Sequence, residues 1–252
     1  MLNVLPSGGV LYDMFCGGCA VTDCAVSLGK FDSYVINDIN PLMPGLFMDT
    51  VNGRCRSPYF WCGHEEFDEK KHSDPLVKLL FSFGHDGRSY AYSREREEDA
   101  ALVHEAICAA KASDRRRAIL KLHSRGAFPK RSTQHLESAD RIDALMEKYA
   151  GIQPLVRAYS GSYKDVPVTA EKGVIYCDPP YRKTVGYDNR KFNYEEFYAW
   201  ASRQRLPVYI SEYSMPEDLF ECVWERPLNS IKGTSTGGQK KIMEKLFVPR
   251  RS

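Results

Sequence analysis

Residues 10–38 read VLYDMFCGGCAVTDCAVSLGKFDSYVIND. Val10–Met14 is a short, mostly apolar run, and two glycines, Gly17 and Gly18, follow almost at once. Ala20, Val21, Cys24, Ala25 and Leu28 then fall along one helical face, with Gly29 placed to stop the helix. Ser33–Asp38 is a second short strand ending in an acid. Strand, glycine turn, helix and strand in that order open a βαβ unit, so the fold predicted is α/β with a largely parallel sheet. Glycines directly after a strand let the backbone approach a cofactor closely, and the next helix presents unpaired N–H groups to it. The nicotinamide-binding fingerprint G-x-G-x-x-G is not met, because Gly17, Gly18 and Cys19 are consecutive. Asp38, 25 residues after Asp13, suits a carboxylate that accepts both hydroxyls of a ribose.

The pattern changes in the middle of the chain. From about residue 52 to 150 it is polar, rich in helix formers and poor in strand runs. Asp74-Pro75 opens a helix in the favoured order of cap then proline. Ile142, Leu145, Met146 and Tyr149 repeat at helical spacing before Gly151. After Gly151 the strands return: GVIYCD (Gly173–Asp178), LPVYISEY (Leu206–Tyr213), ECVWER (Glu221–Arg226) and EKLFVP (Glu244–Pro249). Between the first two lies a helix with Asn193 and Glu196 in capping-box positions. The last two are separated by no helix-length pattern, so they form a hairpin and make one strand of the sheet antiparallel.

Composition bounds the function. With 252 residues, 43% hydrophobic and 27% charged, the chain can bury a large core and has ordinary globular proportions. No run approaches the roughly 18 apolar residues of a membrane helix, and residues 1–13 lack the features of a signal peptide. A cytoplasmic location and no membrane partner are expected. The eight cysteines are scattered, as expected of free thiols in a reducing compartment. Cys16-x-x-Cys19 has no second such pair to complete a zinc site, though a redox pair at a helix start stays open. Cys55, Cys62, His64 and His72 match no common ligand spacing, and no metal is expected.

The stretch YCDPPY, from Tyr176, carries the most chemistry. Two prolines remove two backbone donors and force Asp178 into an extended conformation. The Asp178 carboxylate and the Pro179 carbonyl become two fixed acceptors, followed by Pro180 and the Tyr181 ring. A planar exocyclic amine offers the matching two donors and a flat face.

Together, DMFCGGCAV, NDIN, SGSY, CDPPY, ISEY and EKLFV resemble the Dam-like DNA adenine-N6 methyltransferases, most of all the orphan adenine methylases of phages and prophages. The resemblance covers most of the chain. It implies a Rossmann-like mixed sheet that binds S-adenosylmethionine (SAM), and methyl transfer to an adenine flipped out of double-stranded DNA. It assigns Asp13, Phe15, Cys16, Gly17, Gly18, Asp38, Ser162 and Tyr163 to SAM, and Asp178, Pro179, Pro180 and Tyr181 to catalysis. The chain departs from the family where no lysine ends the SGG before Val10, where Cys19 replaces a usual third glycine, and where Ser162 replaces an acid. Weaker SAM binding is therefore expected. A degenerate fold that binds DNA without catalysis, and an enzyme acting on RNA or a protein amide, remain the alternatives.

Asp13 and Asp178 are 165 residues apart, about twice what two intervening βα units need. The surplus, residues 52–150, corresponds in the family to an inserted target-recognition domain, leaving residues 1–51 and 151–252 as the catalytic core. Lys111–Arg131 holds eight Lys/Arg and one Asp. Such a one-sided block suits phosphate contact by Arg115, Arg116, Arg117, Lys121, Arg125, Lys130 and Arg131. Glycine turns around Arg88 and Tyr90 suit base-edge contact, and the loop KGTSTGGQKK is a further candidate for backbone contact. No obligate protein partner is inferred.

Overall fold

The computed structural model describes residues 1–83, 87–124, 133–181, 192–228 and 242–250. Two compact units emerge: Met1–Gly45 with Pro154–Ser252, and Leu46–Gln153.

The first unit is built on a seven-stranded sheet. Its strands are β1 (Val10–Asp13), β2 (Ser33–Asp38), β3 (Val156–Ser160), β4 (Gly173–Cys177), β5 (Val208–Glu212), β6 (Phe220–Leu228) and β7 (Ile242–Pro249), in the spatial order β3-β2-β1-β4-β5-β7-β6. All pairings from β3 to β5 are parallel, while β7 runs antiparallel to both β5 and β6. This is a Rossmann-like mixed sheet, whose one reversed strand among the described residues comes from the C-terminal hairpin. The chain winds outward from β1 to β3, then returns to place β4 on the other side of β1. The strand order therefore reverses between β1 and β4, where open α/β sheets leave a crevice for ligands.

Glycine makes that central pairing possible. A Cβ on Gly173 would lie 2.2 Å from the Val10 carbonyl oxygen, and one on Gly9 would lie 2.3 Å from that of Lys172. Only residues without a side chain let β1 and β4 start this close.

Each face of the sheet buries a different helix. On one side, Tyr12, Met14, Ile175, Cys177 and Ile210 pack with Phe197, Tyr198 and Ala201 of α8 (Tyr194–Ser202). Asn193 caps that helix, accepting from the Glu196 N–H at 3.1 Å. Helix α1 (Ala20–Ser27) buries Thr22, Ala25 and Val26, whereas Cys24 and Leu28 are exposed. The inward face is thus rotated from the one the hydrophobic spacing indicates. Thr22 turns inward because its hydroxyl donates to the buried Asp13 carboxylate at 2.7 Å.

The second unit is helical. It comprises most of α2 (Leu42–Val51), then α3 (His64–Lys70), α4 (Pro75–Phe81), α5 (Arg94–Cys108), α6 (Ala112–Ser124) and α7 (Gln134–Ala150). Asp74 caps α4 by accepting from the Leu76 and Val77 amides. Leu102, Val103, Ala118, Leu122 and Leu136 form one core where α5, α6 and α7 meet. A second, aromatic core gathers Trp61, Phe81, Tyr92, His104 and His135. No described helix is long and apolar enough to cross a membrane.

Candidate active site

The C-terminal ends of β1, β2 and β4 bring three carboxyl groups to one edge of the sheet. Asp13 ends β1 and is almost wholly buried. Its Oδ2 accepts from Thr22, and its buried Oδ1 has no partner among the described residues. Burial pushes its pKa up to about 7, partly offset by the Thr22 hydrogen bond and reinforced by the charges of Asp178 and Asp38. Asp13 thus lies beneath the glycine bend rather than facing solvent, and its visible work is to anchor α1.

The bend itself runs from Met14 to Cys19. Met14 donates its amide to the Tyr176 carbonyl at 3.0 Å, and Cys16 to that of Asn37 at 2.9 Å. Gly17 (φ 46°) donates to Asp38 Oδ2 at 2.9 Å, while Asp38 Oδ1 accepts from the Asn40 amide at 2.9 Å. Cys19 takes the left-handed conformation (φ 59°) and begins α1, a position a third glycine would occupy with less strain. A Cβ at Gly17 or Gly18 would meet nothing within 4 Å. There is open room above the bend, bordered by the partly exposed Asp38. Asp38 uses each oxygen once toward the backbone and retains lone pairs for a ligand's hydroxyls.

Asn37 joins this bend to the segment before β4, donating from Nδ2 to the Met14 carbonyl at 3.0 Å and the Gly161 carbonyl at 3.2 Å. There the Ser162 hydroxyl accepts from the Lys164 amide and caps a short 3-10 turn, Tyr163–Asp165. Tyr163 is buried, packed 4.9 Å from Trp200 and 5.4 Å from Phe15. Its hydroxyl pKa is pushed up to about 12 by burial. The ring forms the wall behind Phe15 and is not itself presented to solvent. Cys16 is buried as well, its thiol pKa raised first by a hydrogen bond with Cys19 and then by burial.

Asp178 directly follows β4, and Tyr176, two residues earlier, pairs with Asp13 across the β1–β4 ladder. Asp178 is reached by solvent, yet protein crowds its carboxyl and pushes the pKa up to about 6. A hydrogen bond from Tyr181 lowers it, and the negative charges of Glu244 and Glu212 raise it. The Tyr181 hydroxyl also hydrogen-bonds Ser211 Oγ at 3.1 Å, and its ring meets Tyr213 at 4.5 Å. Pro179 is buried, and the Pro180 carbonyl accepts from the Tyr194 hydroxyl at 2.6 Å. Sequence reasoning missed Ser211, Tyr213 as a ring partner, and Tyr194. The first two lie at the end of a strand and could have been sought there, but nothing local marks Tyr194.

The candidate DNA contacts divide. Arg115, Arg116, Arg117 and Lys121 are all exposed on α6, with Arg117 paired to Glu105 at 2.7 Å and Asp114 at 3.3 Å. Arg88 is exposed, but Tyr90 is not held out toward a base as the glycine turns suggested. It is buried against His64 and Phe67, and its hydroxyl donates to the Cys62 carbonyl at 2.7 Å. An apolar ring with a satisfied hydroxyl is worth more inside this core than on its surface. Arg125, Lys130, Arg131 and the loop 232–241 lie outside the described residues.

No family model and no curated protein matches the chain. Among solved structures, it is similar to two of the rRNA methyltransferase aviRa from Streptomyces viridochromogenes. One is 12% identical with a TM-score of 0.38 and the other 13% identical with a TM-score of 0.39. In both cases the match covers 98% of this chain and 80% of the other.

Proposed function

We propose that the chain is a SAM-dependent DNA methyltransferase that modifies the exocyclic N6 of adenine. The observation that carries this reading is the pairing of β1 with β4. It sets the Asp178-Pro179-Pro180-Tyr181 corner beside the glycine bend at the sheet's switch point, with Met14 N–H on the Tyr176 carbonyl. A ribose-bearing cofactor fits the open space over Gly17 and Gly18 and the Asp38 carboxylate at its border. When bound, SAM supplies an electrophilic methyl group on a sulfonium centre.

The chain's own residues then act on the acceptor. The Asp178 carboxylate and the Pro179 carbonyl accept hydrogen bonds from the two N6 hydrogens, which turns the nitrogen lone pair out of the purine ring system. The proton that the methylated nitrogen then sheds passes to the Asp178 carboxylate and on to solvent. Tyr181, its hydroxyl tied to Ser211, offers a ring face to the base. The corner holds the nitrogen in line with the cofactor site, so alignment contributes most and the carboxylate's charge second. The exposed arginines of α6 supply phosphate contacts, and residues 52–150 act as the target-recognition domain.

Methyl-labelled SAM incubated in parallel with duplex DNA, RNA and a protein mixture tests the assignment. Label should enter DNA, and Asp178→Ala should cut the rate by at least about 10–100-fold, the worth of one charge-assisted hydrogen bond. Label in RNA or protein alone would replace this reading with another amino-methyltransferase. No label anywhere, with no SAM binding by calorimetry, would leave a fold without catalysis.

A further inference from the structure

The tetrapeptide that follows β4 has an anchoring problem. Pro179 and Pro180 carry no N–H, so the two central residues of this stretch cannot be held by donating into the sheet. There it must be fixed through its carbonyls and side chains. Two tyrosine hydroxyls meet that need: Tyr181 binds Ser211 of β5, and Tyr194 donates to the Pro180 carbonyl at 2.6 Å.

Tyr194 is well placed for this. It is the first residue of α8, whose start is fixed by the Asn193 cap and whose inner face is locked into the core through Phe197, Tyr198 and Ala201. The same turn of α8 reaches the cofactor side. Tyr194 packs edge-on to Phe192 at 4.9 Å, and Phe192 meets Phe15 of the glycine bend at 5.8 Å. Glu196 pairs with Lys164, just past Ser162, at 2.7 Å.

We infer that Tyr194 is a positioning residue: its hydroxyl fixes the Asp178–Tyr181 corner relative to the glycine bend, and so sets the distance between methyl acceptor and donor. The inference rests on the proposed methyl transfer. The tyrosine touches neither substrate nor cofactor site directly. Its loss moves the acceptor carbonyl while leaving the cofactor loop, held by Asp38 and Asn37, as it is. Displacement of about 1 Å at a reacting pair costs up to about 100-fold in rate.

Tyr194→Phe deletes the hydroxyl and keeps the ring. Tyr198→Phe deletes a hydroxyl from the core side of the same helix and serves as the control. Turnover on DNA, KM for DNA and calorimetric Kd for SAM are measured for both and for the unaltered chain. A fall in kcat of about 10-fold for Y194F, with Kd and KM within about twofold and Y198F unchanged, supports the inference. Unchanged kcat overturns it. So does a loss that follows weakened SAM binding and disappears at saturating SAM, because that is a role in cofactor affinity. An unaltered chain that binds SAM yet methylates no DNA removes the functional reading itself, and this inference with it.

Discussion

Replacing Asp13 by asparagine should remove one sloping component from the chain's stability–pH profile. In the fold its carboxyl titrates near pH 7, against 3.8 for an unperturbed aspartate. Between those values the folded state binds the extra proton and the unfolded state does not. Stability therefore falls as pH rises from about 4 to 7, by about 1.4 kcal/mol per unit, and stays low above 7. Over some three units the ionised carboxylate costs about 4 kcal/mol. Asparagine keeps an oxygen for the Thr22 hydroxyl and puts an NH2 where Oδ1 has no partner among the described residues. The orphaned donor costs about 1–3 kcal/mol, but equally at every pH. The readout is thus the difference in slope rather than the offset. Urea denaturation of D13N and the unaltered chain at pH 5, 6, 7 and 8 measures it, followed by the fluorescence of Trp200 and Trp224 in the same unit. The difference in unfolding free energy should move by about 2.5–3 kcal/mol in favour of D13N across that range. Parallel profiles would refute the claim that Asp13 is enclosed and titrates near neutral pH.

Other expectations follow from the same geometry. Methyl transfer should decline below about pH 6, where Asp178 gains a proton and stops accepting from the amine, and a flat kcat/KM profile from pH 5 to 8 would contradict its role. Gly173→Ala forces a Cβ to within 2.2 Å of the Val10 carbonyl, so a loss of at least about 2 kcal/mol or failure to fold is expected, read by thermal melting. In the helical unit, His135 Nδ1 shares a hydrogen bond with the Tyr92 hydroxyl at 2.6 Å and its Nε2 lies 3.1 Å from His104 Nδ1, and burial holds its pKa down to about 3. Its folded pKa is depressed, so it contributes stability above about pH 6.5 that is lost progressively toward pH 3. Trp61, which packs on His104, His135 and Tyr92, should report a loosening on acidification that His135→Asn reduces.

The sheet was legible wherever strands are buried on both faces. Leu11, Ile36, Val174, Ile175 and Ile210 are shut from solvent, and their apolar runs sit beside glycine, proline and acids that mark the ends. Strand β3 was not legible, because VRAYS lies at the sheet edge with Arg157, Ala158 and Ser160 exposed. Helix α2 carries no clear sequence signal, because Pro44 and Gly45 are poor helix formers. Pro44 nevertheless falls in the first turn, where backbone N–H groups have no partner within the helix and a missing one costs little. The phase of α1 was misread because a threonine bound to a buried acid outweighs the apolar count. The glycine bend and the DPPY corner were readable as motifs because backbone chemistry dictates them locally. Tyr90 and Tyr163 were not readable, since an aromatic residue in a polar stretch looks the same whether it faces a ligand or a core. Tyr194 was beyond reach because its partner lies 14 residues away, and only folding brings hydroxyl and carbonyl together.

The central claim is that the corner after β4 presents an adenine amine to a methyl donor held over the bend after β1. Nucleoside digestion and mass spectrometry of duplex DNA incubated with the chain and SAM test it most directly. The account predicts N6-methyladenine as the methylated nucleoside, strongly diminished with Asp178→Ala. Methyl groups on cytosine, on a ring nitrogen, or at undiminished levels in the Asp178 variant would contradict it.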